Sequence, residues 1–328
     1  GNGLVRQNVG HTFAYRIDLP EQIFHINNIV QDSQGYIWLA TRKHGILRST
    51  SDELSESTQF VPWNKANADE SYHLQKDKNG YLWIGSERGT IHKLNTSTNE
   101  LTSISLPDSI AHLAHNFHVN ELFMNSRNRL WIATEKSISV YDENTGKWLV
   151  CKLYWEPYGK VTVIREDAEG VMWLGTENGI YQANVSLDVP NTINMIGGFE
   201  EEKGLTANEV LTMHITNTNQ ILVSYADKIT RMEKNKIINH KVLQADIPYG
   251  HITCMIDDRN GNTWLGSNES VISIHNTTNT YFAFPMSGNN PTVCRLDDSK
   301  LLWGNMPDLL FFDPVKLKDL KRKKAYIT

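Results

Sequence analysis

The sequence predicts an all-β protein, a closed seven-bladed β-propeller with four antiparallel strands per blade. Three observations carry that prediction. A short string centred on tryptophan recurs about every 45 residues. An aspartate–glycine turn signal precedes most copies. Helical periodicity is scarce, with 107–118 the best candidate for a helical turn.

The copies are GYIWLAT around Trp38, GYLWIGS around Trp83, NRLWIAT around Trp131, GVMWLGT around Trp173 and GNTWLGS around Trp264, with a decayed KLLWGNM around Trp303. NQILVSY fills the long gap after Trp173 and puts Leu222 at the tryptophan position. The spacings are then 45, 48, 42, 49, 42 and 39, so seven units account for nearly all 328 residues. A single domain over 1–328 is expected, with central strands near 38, 83, 131, 173, 222, 264 and 303.

Within each unit, Asp32, Asp77, Asn125, Asp167, Thr216, Asp258 or Asp297 stands six residues before the central position. Gly35, Gly80, Gly170 and Gly261 follow three residues after their aspartates. A carboxylate bonded to nearby backbone N–H groups and a glycine at positive φ make a tight turn between two strands. A second turn follows the tryptophan strand, as in SERGTIHKL, and then a third strand, a polar stretch and a fourth strand such as LTSISL or KWLVCKLY.

Runs such as IWLAT and MWLGT are apolar almost throughout, as expected of strands covered on both faces by neighbouring blades. Gly85, Gly175 and Gly266 lie where small residues let sheets approach. The six repeat tryptophans therefore read as inter-blade core and the turn aspartates as structural. An open solenoid would need polar caps, and none is visible. Instead HTFAYRIDL supplies a lone strand at 12–18 that completes the last blade and closes the ring.

The pattern in DKNGYLWIGSERGTI and DAEGVMWLGTENGI resembles the two-component regulator propeller repeat, and Gly204, Leu205, Asn208 and Val210 match its lead-in before the fifth blade. The resemblance spans roughly residues 12–315. It implies the periplasmic sensor region of a hybrid two-component histidine kinase, which recognises oligosaccharides from complex glycans and controls the genes that use them. It also implies partners within the same parent chain, a second propeller and the kinase modules, and admits a homodimer. A propeller-type polysaccharide lyase or glycosidase, and a pure protein-interaction scaffold, are the alternatives.

Other function classes lose support. The net charge of −5 makes no electrostatic case for nucleic acid. No apolar run reaches the roughly 18 residues of a membrane helix. Gly1-Asn2-Gly3 opens no basic-then-apolar leader, a feature shared by exported proteins already trimmed. Three cysteines, Cys151, Cys254 and Cys294, are too few for a disulfide framework. G-x-S-x-G, H-E-x-x-H and P-loop motifs are missing, so no catalytic residue and no cofactor is expected. His112, His115 and His118 are spaced three apart, which puts no tight triad on one helix face, and no metal is expected. The tail 316–328 reads as a basic linker toward a following domain.

Propeller geometry puts the aspartate–glycine turns on one face, and the second turns with the blade-to-blade connections on the other. That second face carries the irregular loops, where binding residues concentrate. The ligand-binding candidates there are Trp63, Tyr154, Trp155, Tyr158 and Tyr249, with Arg42, Lys43, His44 and Arg88. Aromatic rings interleaved with cations suit a carbohydrate, including one bearing sulfate or uronate.

Overall fold

Seven four-stranded antiparallel sheets form the ring, and in six of them the strands follow one another in chain order. The computed structural model describes residues 14–19, 25–42, 44–63, 65, 72–86, 88–107, 118–153, 158–186, 192–199, 209–225, 228–233, 236–239, 250–275, 281–285, 291–297, 300–305 and 308–315. The expected helical turn at 107–118 and the basic tail fall almost wholly outside these.

The innermost strands touch in succession around the axis, from Ile26–Gln31 and Tyr72–Lys76 through to Thr292–Arg295, which returns against Ile26–Gln31. Closure is by an N-terminal strand. Ala14–Asp18 pairs antiparallel with Asp308–Phe312, making the outer strand of the seventh sheet, with Ala14 opposite Phe312 and Asp18 opposite Asp308.

The central strands are Ile37–Thr41, Leu82–Ser86, Arg129–Thr134, Met172–Thr176, Gln220–Tyr225, Asn262–Ser267 and Leu301–Asn305. Buried side chains group into seven apolar clusters, one at each blade interface. All six repeat tryptophans are buried in them. Glycine is required where sheets close in: a Cβ on Gly266 would lie 2.1 Å from the Trp303 ring of the next blade.

The turn carboxylate has a second task. Oδ1 of Asp32 accepts the N–H of Gln34 and Tyr36, while Oδ2 accepts the indole N–H of Trp38 at 2.8 Å. Asp77, Asp167 and Asp258 repeat this on Trp83, Trp173 and Trp264. Where glycine is missing from the turn, Asn128 and Asn219 take positive φ, 59° and 57°, since asparagine tolerates that region.

Blade seven departs from the expected alignment. In the first six blades the N–H of the turn residue bonds the carbonyl four residues on, as from Asp32 to Tyr36. In blade seven that bond runs from Leu296 to Lys300, so Leu296, not Asp297, holds the aspartate position. Leu302 then stands where five of the other blades put tryptophan, and Trp303 is one residue out. A one-residue slip turns a strand side chain to the opposite face. Accordingly Trp303 packs back onto blade six beside Trp264, Leu302 faces blade one, and the Trp303 Nε1 has no partner among the described residues.

On the aspartate–glycine face, neighbouring turns are tied together. Lys78 Nζ donates to the Ser126 carbonyl, and the N–H and hydroxyl of Ser126 donate to Glu166. Asn219 Nδ2 donates to Glu169, Asn217 N–H to Asp257, Arg259 Nη2 to the Asp297 carbonyl, and Asp297 N–H to Gln31. These links run across most of the blade boundaries and brace that face.

Candidate functional site

The expected ligand residues separate in the structure. Arg42 and Arg88 are exposed on the second turns of blades one and two, where their backbone N–H groups donate to the His25 carbonyl and the Ser86 hydroxyl. His44 is half-buried between the same two strands as Arg42. Tyr158 packs edge-on against Tyr181 of its own blade, ring centres 4.9 Å apart. Lys43, Tyr154, Trp155 and Tyr249 lie outside the described residues. Trp148, another tryptophan outside the repeat position, rests on Tyr141 and donates its indole N–H to the Ser105 carbonyl, a staple between blades.

Trp63 leads elsewhere. It leaves the fourth strand of blade one, donates its N–H to the Ile46 carbonyl, and meets Trp38 edge-on at 5.7 Å between ring centres. There it lines a cavity of about 360 Å³ with Gln34, Tyr36, Trp38, Arg48, Thr96, Ser97 and Asn99. The companions are not the loop cations the sequence points to. They come from the aspartate–glycine turn and the paired strands of blade one, and from the outer turn of blade two.

Local structure fixes each wall. Arg48 sits directly opposite Trp38 in the sheet register. Its guanidinium carbon lies 3.9 Å from the Tyr36 ring centre and 5.2 Å from that of Trp38, a stack that holds a planar cation in place. Across the gap, Asn95 Oδ1 accepts the N–H groups of Ser97 and Thr98, and Asn99 closes the hairpin at φ 57°. Lys65 Nζ donates to the Asn99 carbonyl at 2.6 Å. The site is thus an aromatic corner with one cation, two aliphatic hydroxyls and two amides, suited to a small polar ligand rather than an apolar one.

A signal for Arg48 is present in the sequence, in a strand rather than in a loop. Arg48 follows Trp38 by ten residues just as Lys93 follows Trp83, and a tyrosine stands two residues before each tryptophan.

Titratable groups on the innermost strands lie against one another. Arg165 Nη1 donates to Glu121 at 2.6 Å across blades three and four. His214 Nε2 lies 2.9 Å from Asp257 between blades five and six. Burial pushes the Asp257 carboxyl up, but His214, Thr263 and the Asn217 N–H outweigh it and hold the group below its ordinary range. On blades one and two, burial above all and then the nearby His25 hold the His73 imidazole down at about 4.

Four segments, 19–43, 66–88, 156–178 and 246–269, match the two component regulator propeller family model. They are the four repeats in which the carboxylate–indole bond is complete. Among solved structures, the extracellular domain of a B. thetaiotaomicron protein described as a hybrid two component system matches with a TM-score of 0.72 at 18% identity, covering 94% of this chain and 42% of that one. A second such domain from the same organism gives 0.69 at 15% identity, covering 92% of this chain and 42% of that one. Virginiamycin B lyase from Staphylococcus aureus gives 0.69 at 13% identity, covering 91% and 98%. At these identities the likeness is one of fold. This chain spans about two fifths of the length of the two extracellular domains. No curated protein matches the chain by sequence.

Proposed function

We propose that this chain, which carries two-component regulator propeller repeats on a closed seven-bladed ring, is the periplasmic ligand-sensing region of a hybrid two-component sensor histidine kinase. In this reading the propeller is non-catalytic, recognises oligosaccharides from complex glycans, and governs the genes that use them. The observation that supports it best is the four-fold match to the regulator repeat, together with the likeness of the whole ring to extracellular domains of hybrid two component systems.

The mechanism is a population shift. An oligosaccharide that binds one packing of the propeller against its neighbours better than another biases the equilibrium by that difference in affinity, and the bias passes through the membrane to the kinase. The neighbours are a second propeller and kinase modules of the parent chain, and a second copy of the chain. Exposed Arg42 and Arg88, with His44, Trp63 and Tyr158, are the described candidates for ligand contact.

The reading frame of the parent gene tests this reading. A membrane helix followed by histidine kinase motifs downstream of residue 328 supports it, and a stop codon there removes it. The lyase alternative predicts turnover of a glycan by the isolated chain, where the sensing reading predicts binding alone.

A further inference from the structure

The interface between blades two and three repeats the one between blades one and two, with one charge different. In blade one, Arg48 stands opposite Trp38 and stacks on Tyr36. In blade two, Lys93 stands opposite Trp83 with its ammonium 3.8 Å from the Tyr81 ring centre. Lys93 then pairs with Glu143, which blade three presents from its outer turn. Leu94 is opposite Leu82 and Tyr141 is opposite Leu130, so Thr96 of blade two occupies the place that Glu143 occupies in blade three. One interface brings a carboxylate to its cation. The other brings a threonine, and the cavity opens there.

The groups left over are polar and buried. Among the described residues, Arg48 Nε and Thr96 Oγ1 have no hydrogen-bond partner, and Thr96 is only 8% exposed. Among the described residues, no aspartate or glutamate lines the cavity. Asp32 is near, but its carboxylate is spent on the turn and the Trp38 indole. A buried guanidinium N–H without an acceptor is costly to keep, and an ionised acceptor would bind it strongly.

We infer that this cavity binds a small anionic sugar, whose carboxylate or sulfate takes on Arg48 the place that Glu143 takes on Lys93. Trp63 offers an aromatic wall to the sugar ring, and Gln34, Ser97 and Asn99 offer donors and acceptors to its hydroxyls. A volume of about 360 Å³ holds one or two rings. The stack on Tyr36 fixes the guanidinium before the ligand arrives, so little ordering is left for the binding step. The inference deepens the sensing reading and rests on it for its purpose, while binding by the isolated chain tests the cavity directly.

The experiment is calorimetric titration of the chain with a glucuronate-bearing disaccharide, an O-sulfated disaccharide and the neutral parent disaccharide. One anionic probe is expected to bind saturably, at least tenfold tighter than the neutral one. Arg48→Gln should weaken it at least tenfold. Thr96→Glu supplies the missing carboxylate from the chain itself, so it should abolish binding and raise the melting temperature together, a result that misfolding does not give. Absence of binding by both anionic probes overturns the inference, as does equal binding of the neutral disaccharide or unchanged affinity in Thr96→Glu. A neutral oligosaccharide that binds wild type and Thr96→Glu alike removes the anionic cavity and leaves the sensing reading standing.

Discussion

The indole N–H of Trp83 donates to Oδ2 of Asp77 at 2.9 Å, while Oδ1 of that carboxylate accepts the N–H groups of Asn79 and Tyr81. One buried side chain therefore closes a turn on the surface and satisfies the largest residue of the inter-blade core. Blade three holds the natural contrast. Asn125 keeps both turn bonds, but the Trp131 Nε1 has no partner among the described residues.

This contrast makes the first prediction. Trp83→Phe strands Oδ2 of Asp77 in the core, whereas Trp131→Phe removes a donor that was already unpaired. Urea unfolding should show Trp83→Phe costing about 1–2 kcal/mol more than Trp131→Phe, the penalty of a buried polar atom left alone. Equal costs would mean that the carboxylate–indole bond contributes nothing beyond packing.

Close approach of blades six and seven makes the second. Gly266→Ala places a methyl where the Trp303 ring and the Cys254 sulfur already stand, at 2.1 and 2.5 Å. Overpacking a filled interface should cost about 3 kcal/mol or more. Gly261→Ala, with open space around it and φ of 77°, should cost only about 1 kcal/mol of backbone strain. Melting temperatures of the two variants check the order.

Closure by the N-terminal strand makes the third. Ile17 is fully buried in the cluster shared by blades seven and one, beside Leu309 and Phe311. Truncation to alanine should cost about 3 kcal/mol in urea unfolding, as for other core isoleucines. A cost below 1 kcal/mol would show that the strand is a dispensable cover rather than part of the ring.

His73 makes the fourth. Its folded pKa of about 4 lies below the ordinary value of 6.5, so the unfolded chain binds a proton that the folded chain refuses. Stability from this group is complete above pH 6.5 and is lost as the pH falls toward 4. Between pH 7 and pH 5 the wild type should lose about 1–2 kcal/mol more than His73→Gln. Parallel pH profiles of the two proteins would remove His73 as the cause.

Much of the ring was legible in the sequence because its physics repeats. Burial on both faces keeps the central strands apolar, and the turn needs a carboxylate and a glycine at fixed distances, so Trp38, Trp83, Trp173 and Trp264 declare themselves. Blade seven misled for a physical reason. Matching letters aligns Trp303 with the other tryptophans, but hydrogen-bond register aligns Leu302, and a strand has no tolerance for a slip of one. The cavity was hidden differently. The irregular loops point to Arg42, Lys43, His44 and Arg88, whereas Arg48 sits in a paired strand and Thr96 in an outer turn. Only the register of two neighbouring blades shows that Thr96 and Glu143 are counterparts.

Sensing is the central claim, and one measurement bears on it most directly: the melting temperature of the chain across soluble oligosaccharides drawn from neutral, uronate-bearing and sulfated glycans. Binding to the folded state alone raises stability with ligand concentration. A saturable rise is expected with one class, anionic if the cavity between blades one and two is the site, and a flat response to the rest. A flat response to every class would contradict it.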